Sequence, residues 1–184
     1  MNAVKLNNLF KGNKLEEMKY WLDNESPYYE DSKWKESPDG SHMVKQCNEL
    51  NMYHNSLIDV ARETFAIHDL LPTFATLSWY EDRKTNSHHD TGPVEHTILY
   101  NYFSENELVL EYQGQELVVQ NEEAIAYNGQ EFEHYVKSNT GLSLCLYFNF
   151  ARPDNYHFVL GQHTKQGYQF PSGRSESEVI KDWL

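Results

Sequence analysis

His88 and Asp90 stand two positions apart in Ser87-His88-His89-Asp90, and His134 follows after a gap of 43 residues (91 to 133). Two imidazoles and one carboxylate can cap one face of an Fe(II) ion and leave the opposite face open for oxygen and an organic co-ligand. In a strand, alternate residues point to the same side, so His88 and Asp90 can reach one metal while His89 faces away. His134 must then arrive from a different strand laid alongside, as a folded β-barrel or jelly roll provides. With nine histidines in the chain, a bare His-x-Asp arises readily by chance. The reading therefore turns on the elements around it.

Those elements must fit into 184 residues, a length that suits one domain with enough chain to bury most of a core. Aromatic residues make up 14% of the chain, which favours aromatic-rich strands over a disordered tail. The formal net charge is −13, which repels phosphate backbones, and no basic patch offsets it, so nucleic acid is disfavoured as a partner. Only Cys47 and Cys145 occur, which argues against a disulfide framework. Met1 to Asn8 contains no apolar run of signal length, and no later stretch is long enough to span a bilayer. These features lead to the expectation of a soluble, cytoplasmic protein.

Short N-terminal elements are expected over residues 4 to 10 and 15 to 23, followed by a long Ser-, Pro- and Tyr-rich loop from Asn24 to His42 that could fold over a site. Residues 44 to 66 read as one amphipathic helix, because Leu50, Tyr53, Leu57, Val60, Ala61 and Phe65 recur at threes and fours. It should lie on the outside of a sheet, and His54 within it reads as structural. From Thr73 the pattern becomes strands: 73 to 81, 87 to 91, 96 to 103, 107 to 113, 115 to 120, 123 to 127, 132 to 138 and 142 to 150. Turn residues separate them at Gly92-Pro93, Ser104 to Glu107, Gln113-Gly114, Asn128-Gly129 and Asn139 to Gly141. The expected fold is mainly β, a double-stranded β-helix (a jelly roll or cupin-like barrel) with N-terminal helices supporting one sheet. We expect a single domain over 1–184: support and loop in 1–70, barrel core in 73–150, and an extension over 151–184 with a last helix near Ser175 to Trp183.

Set in that order of elements, the run Trp79 to Asp90 resembles the Tyr-then-His-x-Asp segment of the Fe(II)/2-oxoglutarate-dependent oxygenases, particularly the prolyl hydroxylase-like branch. His96 to Phe103 looks like the strand that this branch places next. Glu122 to Gly129 resembles the segment before its distal histidine, a position that His134 fills. The resemblance covers residues 73 to 150. It implies His88, Asp90 and His134 as Fe(II) ligands and as the catalytic centre, with Tyr80 and Tyr102 lining a 2-oxoglutarate pocket. The implied reaction consumes O₂ and 2-oxoglutarate, releases succinate and CO₂, and hydroxylates a peptide or small-molecule substrate.

The sequence departs from the family on the last strand. There the family usually supplies an Arg or Lys to pair with the distal carboxylate of 2-oxoglutarate, because burying that charge unpaired is costly. Here Leu142, Leu144, Leu146, Phe148 and Phe150 form one face, and Ser143, Cys145, Tyr147 and Asn149 form the other. The nearest cation is Arg152, 18 positions after His134, with Lys137, Arg83 and Lys84 as weaker substitutes. Two alternatives follow: a cupin-like binding or isomerising protein that uses a metal without oxidation, and an Fe(II) oxygenase that does not use 2-oxoglutarate. His89, His96, His157 and His163 read as surface or supporting groups, and Glu131 and Glu133 as solvent-facing carboxylates able to orient His134. The sequence leaves the oligomeric state and the identity of the substrate open.

Overall fold

The computed structural model describes residues 3–25, 35–36, 43–46, 50–81, 87–90, 94–138 and 141–154. In chain order the elements are β1 (Val4–Leu6), α1 (Gly12–Tyr20) running into a π-helical turn (Trp21–Glu25), β2 (Lys35–Glu36), β3 (Met43–Gln46), α2 (Asn51–Ser56) and α3 (Ile58–Phe65). The strands β4 (Leu71–Glu81), β5 (His96–Ser104), β6 (Leu108–Tyr112), β7 (Gln115–Val119), β8 (Ala124–Asn128), β9 (His134–Ser138) and β10 (Leu142–Ala151) follow.

They form two sheets. One has seven strands in the order β1-β8-β5-β10-β4-β3-β2, and the other has three in the order β7-β6-β9. In the run β1-β8-β5-β10-β4 and in the pair β6-β9, strands that neighbour each other in space are distant in sequence, as expected of a double-stranded β-helix. Every named pairing is antiparallel.

Alternation along the strands divides the core in two. Ile98, Tyr100, Leu144, Leu146, Phe148 and Phe150 face the helices and pack with Met18, Leu22, Leu50, Tyr53, Leu57, Ala61 and Phe65. Leu99, Ile125, Tyr127 and Cys145 face the other way and pack with Leu108, Leu110, Tyr112 and Val136 of the small sheet. The helices thus support one sheet, and the apolar periodicity of residues 50 to 65 is what seats them there.

Two expectations are corrected. The single helix over 44 to 66 is instead a strand followed by two helices. Residues 43–46 pair with β4 from Met43↔Trp79 to Gln46↔Thr76, because the edge of β4 has unpaired backbone groups that a strand satisfies and a helix does not. The helical part breaks at Leu57 (φ −96°, ψ 0°) and ends at Ala66, whose left-handed backbone (φ 55°) closes α3. Of the expected strand over 87 to 91, the described residues 87–90 form one bridge, His88↔His134, in place of a regular strand. The other seven expected strands are present within two residues at their ends.

Most of the loop from Asn24 to His42 lies outside the described residues, apart from the end of the π-helical turn and β2. The helix expected near Ser175 lies outside them as well. Among the described residues, no helix is long and apolar enough to cross a membrane. Cys145 is a free, fully buried thiol, and burial pushes its pKa well up, as for an inert packing group.

Candidate metal centre

The triad is assembled by backbone hydrogen bonds. His88 and His134 exchange both of theirs: His88 N–H donates to the His134 carbonyl at 3.1 Å, and His134 N–H donates to the His88 carbonyl at 3.0 Å. Two residues on, Asp90 N–H donates to the Gly129 carbonyl at 2.8 Å, so Asp90 shares a face with His88. Gly129 is held in turn by the tight turn after β8, where the Asn128 side-chain oxygen accepts from the N–H groups of Gln130 (3.1 Å) and Glu131 (2.9 Å). The expected Asn128-Gly129 turn is therefore part of the site.

The ligand atoms of His88, Asp90 and His134 lie within 4.8 Å of one another. Asp90 Oδ1 is 3.4 Å from His88 Nε2, and Asp90 Oδ2 is 3.3 Å from His134 Nε2. Adjacent ligands each roughly 2.1 Å from one metal would sit about 3.0 Å apart, so these residues fit a divalent first-row ion after a small contraction. His134 Nδ1 lies 3.1 Å from the Phe132 carbonyl, a contact that favours a proton on Nδ1 and frees Nε2 for a metal. The Tyr127 ring packs against the His134 ring with centroids 4.9 Å apart.

Exposure is graded across the triad, with the side chains of His134, Asp90 and His88 at 4%, 17% and 41%. The site is rooted in the barrel and opens to solution on the His88 side. Burial of Asp90 opposes its ionisation, but hydrogen bonding to His134 and His88 outweighs it and holds the carboxyl below its ordinary range. The ligand set thus presents a carboxylate at neutral pH.

Gly129 is a site residue that sequence reasoning marked only as a turn. A Cβ built on it would overlap Asp90 Oδ2 and lie 2.9 Å from both Asp90 Cγ and His134 Cε1. Only a residue without a side chain lets the backbone pass this close to the carboxylate. The signal was present in Asn128-Gly129, but it pointed to a turn and not to a contact.

Other named residues fall elsewhere. Tyr102 sits on the helix-facing side of β5 and donates to Asp23 Oδ1 at 2.6 Å, because the parity that turns Leu99 inward turns Tyr102 outward. The Tyr80 backbone pairs with Ser143, while its side chain lies outside the described set. Arg152 is bound to Glu95 through both its backbone N–H and its guanidinium. The parity it shares with Phe150 points it away from the barrel interior, so the structure brings neither Tyr102 nor Arg152 to the triad. His89 is exposed, with Nδ1 3.2 Å from the Gln130 carbonyl.

Glu133 accepts from Ser87 Oγ at 2.6 Å and Glu131 from Asn128 Nδ2 at 3.2 Å, both at the surface, so a backbone carbonyl orients His134 in their place. His54 is buried, with Nε2 2.9 Å from the Asn149 carbonyl, where the β10–β4 register shifts. Burial lowers its pKa to about 3.

No protein-family model matches the sequence, and no curated protein matches it. Solved structures match the fold. A Pseudomonas putida prolyl-4-hydroxylase is 12% identical with a TM-score of 0.64, over 82% of this chain and 92% of that one. A Trichoplax adhaerens prolyl hydroxylase, in complex with a peptide fragment of hypoxia inducible factor, is 11% identical with a TM-score of 0.63, over 84% and 86%. The non-heme alpha-ketoglutarate-dependent epimerase SnoN from nogalamycin biosynthesis is 10% identical with a TM-score of 0.55, over 82% and 78%. The chain thus has the double-stranded β-helix fold of these proteins.

Proposed function

We propose that this chain is a non-haem Fe(II) dioxygenase with His88, Asp90 and His134 as the metal ligands. It takes a 2-oxo acid as co-substrate, with 2-oxoglutarate the first candidate, and oxidises a peptide or small molecule. The observation that carries this reading is the convergence of two imidazole nitrogens and one carboxylate within 4.8 Å on a barrel of this fold. Held there, Fe(II) would supply the redox chemistry with O₂ that no side chain provides, with free positions for the oxo acid and for oxygen.

The chain's own residues do the rest. Asp90 contributes the negative charge and spans the two histidines, while the Phe132 carbonyl fixes the His134 ring so that Nε2 faces the metal position. Tyr127 and the buried flank of His134 exclude water from the inner side, and the exposed flank of His88 leaves the outer side open to substrate.

Hydroxylation is the reaction we favour, because the run from Tyr80 to Asp90 resembles the prolyl hydroxylase-like branch. A peptide substrate is in keeping with the peptide complex of the Trichoplax enzyme. SnoN, described as an epimerase, supports a second outcome on the same fold: epimerisation of a substrate centre in place of hydroxylation.

The test is anaerobic addition of Fe(II) and then 2-oxoglutarate, followed by the visible charge-transfer band of a chelated oxo acid. The band is expected in the wild type and absent in His88→Ala and Asp90→Ala. Asp90→Ala is also expected to abolish O₂-dependent consumption of the oxo acid. Unchanged consumption in that variant would reject the assignment.

A further inference from the structure

Asn149 stands on β10 where the ladder to β4 is broken. Phe148 pairs with Ala75 and Phe150 with Pro72, so Thr73 and Phe74 together oppose Asn149 alone. Pro72 has no N–H to give the ladder. The Asn149 carbonyl is taken by His54, whose Nε2 lies 2.9 Å away. A carbonyl only accepts, so this nitrogen carries the His54 proton. The His54 ring packs on Phe148 and Phe150, the residues on either side of Asn149, with centroids 5.6 and 4.9 Å apart. Bulges beside active sites re-aim a side chain, and this one is held in place from the helix layer.

The side chain so aimed enters the barrel. Phe148 and Phe150 bury into the helix side of the core, and alternation puts Asn149 on the opposite face. There Asn149 pairs across the sheet with Thr97, and Thr97 with Tyr127, whose ring touches that of His134. With neighbouring strands about 4.8 Å apart, Asn149 lies roughly 10 Å along this wall from Tyr127, within reach of a small acid held at the triad. Thr97 Oγ1 donates to Asn149 Oδ1 at 2.9 Å, and both residues are buried. With Oδ1 taken, the Nδ2 donor is what Asn149 has to offer, and among the described residues no hydrogen bond engages it. A buried amide donor is costly to the fold unless an acceptor meets it.

We propose that Asn149 Nδ2 donates to a carboxylate oxygen of the 2-oxo acid bound at the triad. This rests on the oxygenase reading above and adds to it a residue that touches the co-substrate. Thr97 holds the amide in that orientation, and His54 holds the backbone that carries it; both act as positioning residues. The carrying observation is the placement of a buried amide, opposite a bulge and on the barrel face, in the row that runs from Asn149 through Thr97 to the Tyr127 ring against His134.

The experiment uses the full chain with Fe(II) under anaerobic conditions, titrates 2-oxoglutarate by the charge-transfer band, and measures Co(II) affinity in parallel. In Asn149→Leu and Asn149→Asp the half-saturating concentration is expected to rise about 10-fold or more, the size of a lost hydrogen bond to a charged group, while Co(II) affinity holds. Asn149→Asp keeps the shape of the side chain and the acceptor for Thr97, so a purely structural role makes it the milder change. Repulsion of the oxo acid makes it at least as severe as Asn149→Leu. An unchanged half-saturation in either variant, a milder effect in Asn149→Asp, or a parallel fall in Co(II) affinity overturns the inference and leaves the oxygenase reading standing. If neither variant folds, Thr97→Val tests the same contact: a rise with Co(II) affinity kept is expected, and no rise overturns it. If the wild type binds Co(II) but gives no band with 2-oxoglutarate, both readings fall.

Discussion

Gly129 and Asp90 set the tolerance of the site at the scale of single residues. Because a Cβ at 129 would overlap the Asp90 carboxylate, Gly129→Ala is expected to weaken Co(II) binding by about 10- to 100-fold, comparable to the loss of a group that orients a ligand. The far-ultraviolet spectrum should stay unchanged. Wild-type affinity in this variant would show that the carboxylate can move aside at little cost.

His54 governs a different property. Its folded pKa of about 3 lies below the ordinary 6.5, so between these values the unfolded chain binds a proton that the folded chain refuses. The stabilisation is fully present above about pH 6.5 and is lost as pH falls, at up to about 1.4 kcal/mol per pH unit. Urea midpoints measured from pH 7.5 to 5 should therefore fall in the wild type, and the slope should flatten in His54→Gln. An equal slope in the variant would locate the acid sensitivity elsewhere.

At the scale of elements, β10 is the strand on which both halves of the core depend. Its even-numbered residues bury into the helix side and its odd-numbered residues into the barrel, as the alternation of Leu142 to Phe150 foretells. Phe148 meets Phe10 at 5.9 Å and His54 at 5.6 Å between ring centroids, tying the N-terminal segment and α2 to the large sheet. Phe148→Ala should cost about 3–5 kcal/mol, read from urea unfolding, because the neighbouring rings cannot collapse into the space. A loss below about 1 kcal/mol would mean that the helices repack freely on the sheet.

The helix over 44 to 66 was legible only in part. The periodicity from Leu50 to Phe65 belongs to a helical surface, but Met43 to Gln46 answer to an open strand edge. Only the paired partner, residues 76 to 79 of β4, makes that choice.

At the scale of the whole molecule, the triad joins the two sheets. His134 belongs to the small sheet, and Asp90 is tied by its backbone to the turn that ends β8 of the large one. A metal held by both is a cross-link that the unfolded chain lacks. Co(II) or Mn(II) at about 100 times its dissociation constant should therefore stabilise the protein by roughly 2.7 kcal/mol, raising the thermal midpoint. A chelator should reverse the shift, and Asp90→Ala should show none. A shift that persists in Asp90→Ala would place the metal at another site.

The sequence by itself determined the ligand types, the pairing of His88 with Asp90 on one face, the order of the barrel strands and the neutral parity of the last one. These follow from local rules: alternation along a strand, turn chemistry at Asn128-Gly129 and Gln113-Gly114, and the identity of donor atoms. The tertiary structure alone decided that His134 lies directly opposite His88, that Gly129 backs the carboxylate, and that Tyr102 and Arg152 turn to Asp23 and Glu95. These are contacts between residues from 39 positions apart (Asp90 and Gly129) to 79 (Tyr102 and Asp23). No local pattern encodes which strand edges and side chains such distant segments present to one another; the packing of the two sheets does.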